Sequence, residues 1–271
     1  MKNNQLMIYG AYGYAGELMV REAVAQGLCP IIAGRDAEKL KPIATELSLE
    51  CRAFGVRNTG SNLQDISVLL NCAGPFSATA EPLARACLAQ QIHYLDITGE
   101  IDIFRKCHAL DEEARQQNVL ILPGGGTDIV PTDCLAAMLK EKLPVATRID
   151  LALSFGTNPS IGTVNTMIES FGKGGLIREG GMLKVVSNAF QMRKIPFQNK
   201  PQWAMTIPWG DVFTSGISTG VPDGAVYMVM PRMSIYMIRL TNPVKGILNT
   251  QFGQKITKRL AGWLMKKGPD A

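Results

Sequence analysis

Apolar residues in the first half of the chain fall in short runs, separated by stretches whose apolar positions recur with helical period. The runs at about 5–9, 29–33, 51–55, 67–72, 92–96 and 118–122 predict strands, and the segments at about 14–26, 37–47, 78–91 and 101–117 predict helices. Within 78–91 the periodic positions are Leu83, Ala84, Cys87 and Leu88, and Pro82 is expected in the first turn, where a missing N–H does no harm. Strands alternating with helices over short connections predict a parallel, doubly wound sheet. After Pro123-Gly124-Gly125-Gly126 the pattern changes. A helix at about 131–142, a strand at about 147–155 and a helix at about 161–172 precede β-rich segments near 182–187, 190–197, 203–207, 211–218 and 225–230. The expected fold class is α/β: an N-terminal Rossmann-type domain over 1–126, then an α+β domain with a largely antiparallel sheet over 127–245. Residues 246–271 are expected to form a basic amphipathic C-terminal helix.

Composition narrows the class. An apolar fraction of 46% over 271 residues supports a full core, and no window is long and apolar enough to span a bilayer. Met1-Lys2-Asn3-Asn4-Gln5 leads straight into the first strand, so no signal peptide is expected. Six scattered cysteines without a C-x-x-C pair, and only two histidines, point to reduced thiols in a cytoplasmic protein and to no metal site. Residues 1–180 hold 16 Lys/Arg against 20 Asp/Glu, whereas 181–271 hold 12 against 3, so the second half is expected to face something anionic. The basic excess lacks aromatic interleaving or a recognised module, and nucleic acid is not an expected partner.

The chemistry begins at the first strand. Gly10, Gly13 and Gly16 follow it and open a helix, the layout of a dinucleotide loop with one residue more than usual between its first two glycines. Gly10 allows the turn, Gly13 bares the backbone for a pyrophosphate at the helix N-terminus, and Gly16 lets helix pack on strand. The cradle is expected to comprise Gly10, Tyr12, Gly13, Tyr14, Ala15 and Gly16; the plain alternative is a tight strand-to-helix turn. A carboxylate would mark NAD at the end of the second strand. Gly34-Arg35 stands there instead, with Lys39 one turn later, so a 2′-phosphate and NADP are expected. Asp36 reads as the N-cap of 37–47.

Further motifs lie where strands end, at the rim that binds ligands in open α/β sheets. Asn71-Cys72-Ala73-Gly74-Pro75 follows the fourth strand, with Cys72, Ala73, Gly74 and Pro75 expected along the cofactor or, more plainly, in a βα turn. Tyr94, Asp96, Thr98, Gly99 and Glu100 surround the end of the fifth, with Thr98 and Gly99 expected near the nicotinamide. Thr98 is equally read as the cap of 101–117, strengthened by Asp102. Tyr94, Glu100 and Asp128 are the candidate catalytic proton donors, and the chain does not choose among them. Thr132 or Asp133 reads as a helix cap, His93 as a packing residue at a strand edge and His108 as exposed. Tyr-x-x-x-Lys is absent, which removes the proton donor of short-chain dehydrogenase chemistry.

These motifs, with Gly125-Gly126-Thr127-Asp128-Ile129-Val130-Pro131-Thr132-Asp133 and Ser218-Thr219-Gly220-Val221-Pro222, resemble the saccharopine dehydrogenase-like oxidoreductases, and among them the trans-acting enoyl reductase branch, over about residues 5–230. The resemblance implies an NADP(H)-binding Rossmann domain, a second domain shaping a substrate cleft, and a homodimer. Members generally run on past this point, so a shortened or compact member is expected; the pattern of glutamate, aspartate and lysine in saccharopine-forming enzymes is not matched. The expected function is hydride transfer to a C=C or C=N bond of a small-molecule or carrier-bound substrate, the alternative being a non-catalytic NADP-binding sensor or scaffold. In 254–267, Ile256, Leu260, Trp263 and Leu264 oppose Lys255, Lys258, Arg259, Lys266 and Lys267. That stretch is expected to close a core or dimer interface, to lie on a membrane surface as a peripheral contact, or to dock an acidic protein.

Overall fold

The computed structural model describes residues 5–154, 174–197 and 200–244. The chain folds as two compact units, Met1–Pro131 and Thr132–Ala271. In the first, strands β1 (Leu6–Tyr9), β2 (Ile31–Gly34), β3 (Cys51–Ala53), β4 (Val68–Asn71), β5 (His93–Asp96) and β6 (Ile121–Leu122) form one parallel sheet in the order β3-β2-β1-β4-β5-β6. Strand order reverses beside β1, which pairs with both β2 and β4. Tyr9 is in register with Asn71, and Asn71 with Asp96, so the ends of β1, β4 and β5 make one level rim.

Alternation of side chains loads both faces. Ile8 and Ile32 pack with Val20 of α1 (Tyr14–Ala25) and with Leu40 and Ile43 of α2 (Ala37–Leu47). Met7, Tyr9, Leu69 and Tyr94 pack with Leu83 and Cys87 of α3 (Phe76–Ala89) and with Ile103 and Cys107 of α4 (Ile101–His108). Asp36 caps α2, its Oδ1 accepting from the N–H groups of Glu38 and Lys39. Helix α3 starts two residues earlier than expected, so Pro82 lies in its second turn, where the N–H it lacks would have reached Ala78. The helix expected over 101–117 divides into α4 and α5 (Asp111–Gln116), because the bend at Ala109-Leu110 keeps Leu110 in the core. His93 Nδ1 accepts from the Leu120 N–H at the sheet edge, and His108 is exposed.

The second unit is built on a sheet of β7 (Arg148–Leu153), β8 (Gly175–Glu179), β9 (Met182–Val186), β10 (Met192–Phe197), β11 (Lys200–Ile207) and β12 (Asp223–Val229). The path β10-β11-β12-β8-β9 is antiparallel, and β7 joins β12 in parallel. Helices α6 (Val130–Lys142), α7 (Asp211–Thr219) and α8 (Arg232–Leu240) share one core with it, through Ala136, Val212 and Ile235 against Met205, Val226 and Met228. The strand expected at 211–218 is therefore α7. Its periodic positions are Val212, Ser215 and Gly216: a Cβ at Gly216 would lie 2.7 Å from the buried Arg178 guanidinium, and Gly220 closes the helix with φ +66°. Helix α6 begins at Val130, so Thr132 and Asp133 lie inside its first turn rather than capping it. The helix expected at 161–172, and residues 246–271 with the amphipathic stretch 254–267, lie outside the described residues.

Candidate functional site

The glycine loop is fixed by backbone contacts. Gly10 takes φ +86°, and its N–H and that of Ala11 both donate to the Ala33 carbonyl, stitching the loop to β2. A Cβ on Gly10 would lie 2.7 Å from the Ala73 nitrogen, and one on Gly16 would lie 2.1 Å from the Gly10 oxygen. Both positions admit only glycine, because the obstructing atoms are backbone. Gly13 is the N-cap of α1, in extended conformation and with no side chain to satisfy the first turn. The N–H groups of Tyr14, Ala15 and Gly16, in the first turn, are therefore left without a side-chain cap at the positive end of the helix dipole. The site fits a pyrophosphate: bare backbone, free donors and no acidic side chain at the loop.

At the end of β2 the ring of Tyr12 lies on Gly34, where a Cβ would come within 2.6 Å of it, and Lys39 Nζ stands 5.7 Å from the ring centroid. Arg35 is exposed beside them, and among the described residues no carboxylate pairs with it. Lys39 reaches Asp36 at 3.8 Å, a loose exposed pair worth little. Two cations and an aromatic face at this point suit a nucleotide carrying a 2′-phosphate.

The rest of the rim is tied by a buried polar chain. The Asn71 amide donates to Thr79 Oγ1 (3.2 Å) and to the Tyr94 hydroxyl (3.0 Å), and its Oδ1 accepts from the Ala73 N–H (3.0 Å). The Tyr94 hydroxyl donates to Asp96 Oδ2 (2.8 Å). Asp96 Oδ1 accepts from the N–H groups of Thr98 (3.0 Å) and Gly124 (2.9 Å). Asn71, Tyr94 and Asp96 are wholly buried. Burial raises the Asp96 pKa, and its three donors offset part of that; burial and the neighbouring Asp96 hold the Tyr94 hydroxyl far above its ordinary range. Cys72, buried beside them, has its thiol pushed up to about 12. Asn71, Thr79 and Gly124 are the members that sequence reasoning missed as site residues. The one available signal was a polar Asn closing an apolar strand run.

The remaining predicted residues stand along this rim. Glu100 Oε1 accepts from the Phe76 N–H (3.1 Å), so it caps α3, whose own N-cap is Pro75. Thr98 Oγ1 accepts from the Glu100 N–H, which fixes the loop ahead of α4; the expected cap by Thr98 is not formed, since the N-cap is Glu100. Gly74 is exposed with open space over its Cα, so sterics do not demand glycine there. Gly99 has the Asp128 carboxylate over it, and partial desolvation raises the Asp128 pKa. Asp133 and Ser218, from two further motifs, meet in the second unit, with the Ser218 hydroxyl donating to the carboxylate.

Comparison with known proteins agrees with this geometry. Residues 6–122 match the family model of the saccharopine dehydrogenase NADP binding domain. A saccharopine dehydrogenase-like oxidoreductase of Rattus norvegicus is 25% identical over 231 residues, 74% of this chain and 53% of its own length. A Mycobacterium tuberculosis protein named as a candidate trans-acting enoyl reductase is 29% identical over 205 residues, 68% of this chain and 44% of its own. The chain spans about half the length of the curated relatives it matches. The apo structure of saccharopine dehydrogenase (L-Glu forming) from Saccharomyces cerevisiae has the same fold, with a TM-score of 0.63 at 9% identity over 88% of this chain and 57% of that one. Residues 6–122 thus match the NADP binding domain of the saccharopine dehydrogenase family, and the chain is similar to the saccharopine dehydrogenase-like oxidoreductases.

Proposed function

We propose that the chain is an NADP(H)-dependent reductase acting on a C=C or C=N bond of a small or carrier-bound substrate. The observation that carries this reading is the pairing of the bare glycine cradle with exposed Arg35 and Lys39 at the end of β2. The cofactor supplies hydride when bound. Gly10, Gly13 and Gly16 seat its pyrophosphate; Arg35 and Lys39 hold the 2′-phosphate. The loops at Cys72–Pro75 and Thr98–Gly99 line its path. Of the three candidate donors, the Tyr94 hydroxyl is locked between Asn71 and Asp96, and Glu100 is engaged with Phe76. We assign proton delivery to Asp128, whose carboxylate stands over Gly99 and whose pKa is raised by partial desolvation, the property a general acid needs. A mycobacterial relative named for enoyl reduction supports C=C over C=N. Six free thiols suit a reducing, cytoplasmic setting, and the family resemblance suits a homodimer.

The test is an equilibrium titration with NADPH and NADH of the wild-type chain and of Arg35→Ala. The expected result is NADPH preference in the wild type and NADPH affinity lower by about 10–100-fold in the variant, the worth of one charge-assisted contact. Equal binding of both cofactors by the two proteins would overturn the assignment of Arg35. A non-catalytic sensor or scaffold is the second reading, favoured by the locked Tyr94 and engaged Glu100. Sustained NADPH oxidation with any enoyl or imine substrate rejects it.

A further inference from the structure

Helix α8 is apolar on two sides. Ile235, with no exposed surface, and Ile238 face the core of the second unit. Met233, Tyr236, Met237 and Leu240 recur at the helical spacing on the other side, with exposures of 72%, 38%, 59% and 71%. Phe190 lies near its C-terminal end and is exposed as well, because Arg239 binds the Ala189 and Phe190 carbonyls. Single exposed apolar residues need no explanation, but a stripe of four on one helix marks a surface that meets something.

The rim of the stripe identifies what it meets. The Arg232 guanidinium stands over Trp203 at 5.1 Å and over Tyr236 at 5.5 Å, and Lys194 Nζ stands over Trp203 at 5.4 Å. Cations, a tryptophan and a tyrosine thus gather beside exposed methionine and leucine. This is the grading from charged to aromatic to apolar that a lipid headgroup layer favours. No acidic residue lies in α8, and between 182 and 244 only Asp211 and Asp223 are acidic; Asp211 is buried, and Asp223 accepts from the Gly180 N–H. Beyond residue 244 the sequence adds six Lys/Arg against one Asp. Pairing with a second copy of α8 would bring Arg232 and Arg239 against their own like with no carboxylate on the helix to receive them. We infer that α8 is an interfacial helix that seats Met233, Tyr236, Met237 and Leu240 in an anionic phospholipid surface, with Arg232 and Lys194 at headgroup level. Nine residues cannot cross a bilayer, so the contact is peripheral. This inference uses no residue of the 254–267 stretch and does not depend on the proposed reaction.

The test is co-sedimentation of the full chain with phosphatidylcholine vesicles, with and without phosphatidylserine, beside the double variant Met237→Glu/Leu240→Glu. The wild type is expected to bind the phosphatidylserine vesicles and to lose that binding in high salt. The double variant is expected to bind at least about tenfold more weakly, with an unchanged unfolding midpoint, since both side chains face solvent. Should it fold poorly, Arg232→Gln serves instead, with the preference for phosphatidylserine reduced. Unaltered binding by a folded variant would overturn the inference. So would a wild type that ignores both vesicles, and a variant that merely turns a dimer into a monomer on sedimentation would assign the stripe to a second copy.

Discussion

Replacing Tyr94 by Phe separates a scaffold role from a catalytic one. The change removes one hydroxyl from a fully buried position without altering the ring. Asn71 keeps Thr79 as an acceptor, but Asp96 Oδ2 loses its donor inside the core. A hydrogen bond to a charged group is worth about 1.5–3 kcal/mol and the bond from Asn71 about 1 kcal/mol, so the first unit should lose about 2–4 kcal/mol. For a unit of this size that lowers the unfolding midpoint by roughly 3–5 °C per kcal/mol. All three tryptophans lie beyond residue 200, so thermal unfolding is best followed by circular dichroism. The pH dependence has a definite sign. Burial raises the folded-state pKa of Asp96 above its unfolded value, so its protonated form is the one the fold prefers. Stability then falls as pH rises from about 3.9, the unfolded value, through the folded one. Because the Tyr94 hydroxyl offsets part of that fall, the deficit of the variant should be smallest at acid pH and complete above the folded pKa. NADPH oxidation, with any substrate the wild type accepts, should stay within about threefold, far less than the 10²–10⁴-fold a general acid contributes. An unchanged midpoint together with lost hydride transfer would refute this and make Tyr94 the proton donor.

Two further outcomes follow from the packing. Gly16→Ala should abolish NADPH binding and destabilise by about 1–3 kcal/mol, because its Cβ would sit 2.1 Å from the Gly10 oxygen. Gly27→Ala, at φ +79° in open space, should cost about 1–2 kcal/mol and leave NADPH affinity unchanged, and titration with unfolding of both variants checks the contrast. Alkylation near neutral pH, counted by mass spectrometry, should modify Cys29, Cys51 and Cys134 quickly. Cys72, Cys87 and Cys107, buried with thiols pushed up to about 12, should react only on unfolding; early labelling of Cys72 would mean that the loop after β4 opens.

The doubly wound unit was legible because its signals are local. Asp36 at a strand end gave α2 its observed bounds, and the three glycines marked the β1-α1 turn. What escaped depends on contacts distant in sequence. Residues 211–218 sit among β-rich segments and read as a strand, yet the segment coils, with Arg178, far upstream, filling the space under Gly216 and donating to the carbonyls of Val212 and Val221. Strand β8 went unpredicted for the complementary reason: the charge of Arg178, directly after Leu176 and Ile177, hid a buried position. At the rim, Asn71, Asp96 and Gly124 come together only through the parallel register of β4, β5 and β6. No spacing rule reveals that Glu100 caps a helix of another crossover.

The shared acceptor at Asp96 has a consequence for motion. Thr98 and Gly124 belong to different loops, but their amide protons rest on one oxygen atom. Neither loop can lift without breaking a bond whose loss leaves that buried carboxylate poorly satisfied, so the two open together or not at all. Native-state hydrogen exchange should therefore report a single opening free energy for both amides. The floor of the rim is thereby expected to behave as one cooperative piece.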